Sequence, residues 1–434
     1  MTMAESSKKT LKTYTFGCKV NWFDSAQVES AVSQFKTWNI DPKSKNPDAV
    51  VINTCTVTES ADKQARQLIR KINREHPQAK IIVTGCYAEA DGQRISQMPG
   101  VTDVVAIKDR VKINESLGLP SLTENDAFKT MAQTSQRTRA YLKMQDGCNA
   151  YCAFCVLPYV RGRSRSIDIK TLVELAQSYE NHGYKEMIIT GTHVGSYGRD
   201  LSPRMTFAKA LDQILKETND IRLKISSLEP TTLTSEFIKL MEGNKRIAPH
   251  FHIPMQSGSD DILKRMNRKN KAQNFNERIV ALSQTQDNVC IGTDVIVGFC
   301  GETEKDFQLS YESLRDLPIQ YFHVFPYSGR PGTRAEKVFA DDVGPQIKKE
   351  RVKLLRGLSF EKQTEFYKRF ENTTEKILVE KKRDAQGYLQ GQTTRYVRVK
   401  IKGHDRLQEK EVEVKLSQLN KQNTEHVVFY ADVL

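Results

Sequence analysis

The chain has 434 residues, with 66 Lys and Arg against 53 Asp and Glu, for a formal charge of +13. With 38% hydrophobic and 27% charged residues it has the composition of a globular protein with a sizeable core, and no run approaches the roughly 18 to 20 apolar residues of a membrane span. The opening "MTMAESSKKTLKTYTFG" lacks the apolar stretch of a signal peptide. A cytoplasmic protein without membrane contact is therefore expected, and there its eight cysteines serve better as ligands than as disulfides. The excess positive charge suits a polyanionic partner such as nucleic acid, and equally a basic enzyme with none.

Strand and helix patterns alternate through the first 120 residues. "TYTFGC" (13–18) is extended, with a helical pattern after it over 24–36. "DAVVINTC" (48–55) reads as a buried strand, followed by a Lys- and Arg-rich helix over 60–75. "AKIIVTGC" (79–86) repeats the arrangement, and "VTDVVAI" (101–107) is a fourth strand. Such alternation predicts a parallel sheet. Cys18, Cys55 and Cys86 each stand just past the carboxyl end of an apolar strand. In a parallel sheet those ends share one edge, where open α/β folds build their sites. Three cysteines so placed could converge; the alternative is three small core residues, since free Cys is often buried.

From about residue 137 a second series begins: "RAYLKMQ" (139–145), "YKEMIITG" (184–191), "IRLKISS" (221–227), "HFHIPM" (250–255), "VCIGTDVIVGF" (289–299) and "IQYFHVFPY" (319–327). Helical segments separate these strands, which predicts a partial or complete barrel with its active face at the strands' carboxyl ends. A basic helix over 346–369 closes the series. Residues 371–434 then alternate with period two and predict a small β-barrel of about five strands. The expected divisions are 10–122, 132–370 and 371–434, in an α/β chain with a parallel-sheet first domain, a (β/α)6-type central barrel and a small β-barrel last.

The chemistry concentrates in "DGCNAYCAFCVLPYVRGRSRS" (146–166), where Cys148, Cys152 and Cys155 have C-x3-C-x2-C spacing. Such a loop can wrap three thiolates around one face of a 4Fe–4S cluster and leave the fourth iron open to a small molecule. A zinc site would want a fourth Cys or His nearby, and residues 137–175 contain none.

At these residues the sequence resembles the radical S-adenosylmethionine superfamily. More narrowly, "FGCKVN", "INTCTVT", "VTGCYAE", the Cys148 block, "SSLEP", "IPMQSGSD" and "VFPYSGRPGTRA" resemble, in the same order, the blocks of the methylthiotransferases, whose last module is a TRAM-type barrel. The resemblance implies two 4Fe–4S clusters, one on Cys148, Cys152 and Cys155 and an auxiliary one on Cys18, Cys55 and Cys86. It also implies two uses of S-adenosylmethionine, as methyl donor and as source of a 5′-deoxyadenosyl radical. "GCKVN" (17–21) is most similar to the branch acting on N6-threonylcarbamoyladenosine at position 37 of tRNA; the isopentenyladenosine branch reads closer to "GCQMN", and a further branch modifies a ribosomal-protein aspartate. Implied partners are the tRNA anticodon stem-loop and an electron donor such as flavodoxin or ferredoxin, with the chain acting as a monomer. The rival of another class is a non-catalytic RNA-binding protein with structural metal sites.

Gly191 and Thr192, in "TGTHVGSYG", with Glu229 and Gln256 at later strand ends, are the candidates for cofactor contact. His193, His250 and His252 read as structural rather than metal-ligating. Cys290 and Cys300 read as structural, Cys300 standing in "VGFCGET" where the family usually has Pro. Residues 137–165 carry six cations against Asp146, and 376–402 carry eight basic and two acidic residues. Arg161 and Arg163 in the first patch, and Arg395, Arg398 and Lys400 in the second, are the expected RNA contacts, with Tyr388 and Tyr396 interleaved for base stacking.

Overall fold

The first sheet is parallel throughout, in the order β2 (Trp38–Ile40), β1 (Lys9–Thr15), β3 (Ala49–Thr54), β4 (Lys80–Gly85), β5 (Val101–Val104). The computed structural model describes residues 8–128, 130–134, 137–422 and 426–434. The short strand β2 has no counterpart among the sequence expectations. The helix after Cys18 runs Lys19–Ser33, starting a turn earlier than its pattern predicts. Asn21, Asp24, Ser25 and Gln27 are buried along with Val20, Phe23 and Val28. A helix buried on its polar side as well has no clean amphipathic period to read.

The second unit has six parallel strands: β6 (Ala140–Asp146), β8 (Glu186–Gly191), β9 (Arg222–Ile225), β10 (His250–His252), β11 (Cys290–Val297) and β12 (Tyr321–Pro326). Ladders join β6, β8 and β9, and separately β10, β11 and β12. Single parallel bridges, Leu223 to Ile247 and Ser227 to His252, carry the row across β9 and β10. The short strand β7 (Arg165–Ser166) pairs antiparallel with β6. Among the described residues β12 makes no ladder with β6, so the barrel is open, as six strands allow. Its core continues beneath the outer helices through Leu142, Met187, Leu211, Phe237, Phe251 and Phe275.

Helix Pro345–Lys368 leads into β13 (Thr374–Arg383), β14 (Leu389–Thr393), β15 (Arg398–Ile401), β16 (Glu411–Gln422) and β17 (His426–Val433), a closed barrel in the order β13-β14-β15-β17-β16. Alternate residues such as Ile377, Val379, Val399, Ile401 and Phe429 fill it. No helix among the described residues is long and apolar enough to cross a membrane.

Candidate active site

Cys18, Cys55 and Cys86 follow β1, β3 and β4, which are neighbours in the sheet, so their side chains leave one edge together. Cys55 lies directly against the turn carrying Cys18: a Cβ on Gly17 would sit 2.9 Å from Cys55 Sγ. Gly85, before Cys86, has φ +95° and its Cα faces the Thr54 backbone, a position closed to any side chain. All eight cysteines are free thiols. Burial pushes the Cys86 thiol up to about 12, and its neighbours Cys18 and Cys55 add to that.

The second triplet forms a tight loop at the carboxyl end of β6. Gly147, at φ +74°, packs on the Arg163 carbonyl. Ala153 donates to Met266 O and accepts from Ala335 N, both at 2.8 Å, and Asn267 Nδ2 donates to Tyr151 O at 2.8 Å, so the loop is held from two sides. Burial raises Cys148 and Cys155, the latter to about 12, and Cys152 raises both further. Ala150 N–H donates to Cys148 Sγ at 3.4 Å, His193 Nδ1 lies 3.6 Å from the same sulfur, and Arg268 Nη1 lies 3.6 Å from Cys152 Sγ. Clustered thiols that disfavour one another's ionisation, with N–H donors aimed at the sulfurs, fit a metal cluster, whose positive charge deprotonates coordinating thiols.

Glu229 is gripped by Arg268 through two bonds, 2.9 and 2.6 Å, within reach of Cys152 through the same guanidinium. Thr192 Oγ1 donates to Asp146 Oδ1 at 3.1 Å, and Gly191 pairs in register with Gln145. Gln256 has φ +68° and its backbone bridges β11 at Asp294 and Ile296. These four candidates therefore ring the carboxyl ends of β8, β9 and β10. Sequence reasoning missed Arg268, hidden in the run "KRMNRKNK" (264–271), which reads as a solvated basic stretch.

Arg161 is not the surface RNA contact expected. It is 4% exposed and sits between the two triplets. Its Nη1 donates to Asp146 Oδ1 at 2.9 Å, and its Nη2 donates to Asn21 Oδ1 at 2.6 Å and Asp24 Oδ2 at 3.1 Å. Its charge also reaches the Cys86 thiol and opposes the rise that burial causes there. Lys143 completes the network, 2.5 Å from Asp24 and 3.1 Å from Asp146. Burial alone would raise both carboxyls, but Lys143, Arg161 and Arg110 hold Asp24 below and Asp146 well below the ordinary range.

Tyr396 likewise is no exposed stacking platform. Its hydroxyl donates to Glu186 Oε1 at 3.0 Å, and its ring lies under Lys224 and 4.5 Å from that of His250. Arg163 and Arg398 are exposed. Arg395 is half-buried, donating to Asp287 O at 3.3 Å, and Lys400 pairs with Asp384 at 2.8 Å. Cys290 and Cys300 are buried in apolar clusters.

The open barrel encloses a cavity of about 670 Å³, lined among others by Lys224, Ser226, Ser227, His250, His252 and Asp294. Lys19, the residue after Cys18, reaches it from the start of the first helix, and Tyr396 and Arg398 reach it from the closed barrel. His252 Nε2 lies 3.0 Å from Asp294 Oδ1, and with His323 they place three ligand atoms within 4.8 Å of one another. Lys19, Lys224 and Arg398 line the same space and oppose a dication there. The cavity mixes polar walls with apolar ones such as Ile225, Phe322 and Val324, is of a size that takes a small-molecule-like group, and is lined by residues from all three units.

Residues 142–314 match the Radical SAM superfamily, and residues 10–106 match the uncharacterized protein family UPF0004. The solved structure of the radical S-adenosylmethionine methyltransferase TsrM from Kitasatospora setae shares the fold at TM-score 0.54, with 13% identity, covering 76% of this chain and 77% of that one. A cysteine triplet on an open six-stranded barrel thus defines a radical S-adenosylmethionine enzyme. The threonylcarbamoyladenosine tRNA methylthiotransferase MtaB of Bacillus subtilis is 36% identical over 94% of this chain and 93% of its own length. Its namesake in Aquifex aeolicus is 35% identical over 82% and 89%. The tRNA-2-methylthio-N(6)-dimethylallyladenosine synthase of Fusobacterium nucleatum is 31% identical over 84% and 87%. The chain belongs to the radical S-adenosylmethionine methylthiotransferase family.

Proposed function

We propose that the protein methylthiolates C2 of N6-threonylcarbamoyladenosine at position 37 of tRNA, using two 4Fe–4S clusters and S-adenosylmethionine both as methyl donor and as radical source. Cys148, Cys152 and Cys155 would hold the cofactor-cleaving cluster, and Cys18, Cys55 and Cys86 the auxiliary one. When bound, these groups supply one-electron cleavage of the cofactor and delivery of sulfur. The chain's own residues do the rest. Arg268 fixes Glu229 at the strand ends where Gly191, Thr192 and Gln256 would also meet the cofactor. The barrel wall keeps water from a reactive radical, and Arg161 ties the two cysteine triplets into one site. Side-chain acid–base chemistry alone would not suffice, because the C2 hydrogen is not acidic enough for such groups to remove.

The observation that carries this reading is the pair of lysines, Lys19 beside the Cys18 turn and Lys224, that line the barrel cavity. It supports a polar, charged N6 substituent over the apolar isopentenyl group of the neighbouring branch, and the relatives matched at 35–36% identity bear the threonylcarbamoyl name. The division of labour would be residues 10–122 for the auxiliary cluster, 132–370 for the radical barrel and 371–434 for gripping the anticodon stem-loop, with Arg163, Arg395, Arg398 and Lys400 as RNA contacts. The setting would be the cytoplasm, as a monomer reduced by a donor such as flavodoxin or ferredoxin. Nucleoside mass spectrometry of tRNA from a deletion strain tests it: the 2-methylthio derivative of threonylcarbamoyladenosine should vanish while its unthiolated precursor accumulates. Loss of the isopentenyl derivative instead would move the protein to the other branch, and unchanged tRNA would favour the ribosomal-protein or non-catalytic rivals.

A further inference from the structure

Lys224 is a buried lysine that no carboxylate pairs with among the described residues. Only 3% of its surface is exposed, yet among the described residues its amine makes no hydrogen bond or ion pair and lies against the Tyr396 ring. Glu186, whose charge reaches Lys224, is already engaged by Arg139 at 2.6 Å, Arg222 at 2.9 Å and the Tyr396 hydroxyl at 3.0 Å. Lys19 enters the same cavity and also lacks a hydrogen bond or ion pair among the described residues, and its charge is felt at both Lys224 and His250. Among the described residues Asp294 is the one carboxylate lining the cavity, and it is held by His252. His250 adds a buried Nδ1 with no hydrogen-bond partner among the described residues.

Burying an ammonium without a partner is costly, and such a group normally loses its charge or acquires an anion. Here burial, then the positive charge of Lys19, hold Lys224 well below the usual ammonium range. A carboxylate delivered from outside would reverse that by supplying the missing counter-charge, in a setting where charge-assisted hydrogen bonds are strong. Lys19 is one of the two residues, with the buried Val20, at which "GCKVN" departs from "GCQMN", and of the two it is Lys19 that lines the cavity.

We propose that Lys19 and Lys224 form a carboxylate-binding site inside the barrel, which selects a purine whose N6 substituent ends in a free carboxylate. This rests on the reading above and adds to it the group that is recognised and the residues that recognise it. The same two ammonium groups could instead meet an RNA phosphate, and the test separates the two sources. Two anticodon stem-loops are compared on the reconstituted holoenzyme: one carrying threonylcarbamoyladenosine, the other its threoninamide counterpart, in which only the carboxylate is neutralised. Phosphates are identical in the pair.

Wild-type protein should prefer the acid by about 10- to 100-fold in Kd, the worth of one or two charge-assisted bonds. Lys224→Met should bring the pair within about 2-fold by weakening the acid alone, and Lys224→Arg should keep most of the preference. Methionine is chosen because apolar replacement of a buried charge tends not to unfold a protein. Lys19→Gln, with iron content followed in parallel, should narrow the preference in the same direction. Equal binding of acid and amide by wild-type protein, or equal weakening of both by Lys224→Met, would overturn the site, the second outcome assigning Lys224 to phosphate. Methylthiolation of isopentenyl but not threonylcarbamoyl stem-loops by wild-type protein would instead defeat the underlying reading.

Discussion

Arg161, in the loop after Cys155, donates to Asp24, in the helix after Cys18, at 3.1 Å. The same guanidinium reaches Asp146 at 2.9 Å, so one buried side chain ties the turn of each cysteine triplet to the other. Breaking a buried ion network from one side leaves uncompensated charge and costs about 3–5 kcal/mol. Arg161→Ala should lower the melting temperature of the reconstituted protein by several degrees and reduce iron retention at Cys86, whose thiol feels the Arg161 charge. An unchanged melting temperature with full iron would reduce this network to a bystander. The seam is also acid-sensitive in a definite sense. Asp24 and Asp146 are held below their ordinary 3.8, so their contribution is complete above that value and is lost as the pH falls below it, where the unfolded chain binds protons the folded chain does not.

Single-ligand variants separate the two triplets. Cys152→Ala removes one of three thiolates from the strand-β6 loop, and 5′-deoxyadenosine formation should fall to background. Cys55→Ala should leave that cleavage in place while abolishing methylthiolation, with iron content lower by about one cluster, the loss expected when three thiolates hold it. Full iron together with full methylthiolation in Cys55→Ala would return Cys55 to the role of a core residue.

The element pattern, the two triplets and the closed last barrel were legible in the sequence because each carries a local signal: strand alternation, cysteine spacing, period-two strands. Arg161, Lys143 and Tyr396 were not, because a cation or a tyrosine in a basic stretch reads as solvent-facing unless its partners are known. Those partners lie far along the chain, Asp24 for Lys143 and Arg161 and Glu186 for Tyr396. The start of the first helix was misplaced for the same reason, its buried polar residues Asn21 and Asp24 facing partners from another unit. Lys19 and Lys224 are visible as lysines in any reading, but only the fold shows that both line one cavity.

Exposed cations should account for the salt dependence of RNA binding. Arg163→Ala and Arg398→Ala should each flatten the slope of log K against log salt by about 0.7 to 0.9, the signature of one lost phosphate contact, and a slope equal to wild type would exclude the residue concerned from the RNA surface. Deleting residues 371–434 is a poorer test than it looks from sequence. Thr138 and Arg139 bond Lys381 N and Glu380, and Arg222 pairs with Glu411 at 2.7 Å, so the truncation should also lower the stability of the central barrel.

Glu29 offers a separate handle on stability. It lies half-buried on the helix after Cys18, and burial raises its carboxyl from 4.5 to about 7, with Thr13 and Arg137 offsetting only part of that cost. Because the folded chain holds this proton more tightly than the unfolded chain, its favourable contribution is complete below about pH 4.5 and is lost as the pH rises through 7. Above pH 7 the buried charge costs up to about 3 kcal/mol, because a tenfold change in proton affinity is worth about 1.4 kcal/mol. Glu29→Gln keeps the shape and the hydrogen-bonding capacity without the charge, so it should raise the melting temperature at pH 8 and change it little at pH 4.5. Thermal scans of both proteins across that range check the sign directly, and an effect that is the same at both ends would mean that Glu29 titrates alike in the folded and unfolded chain.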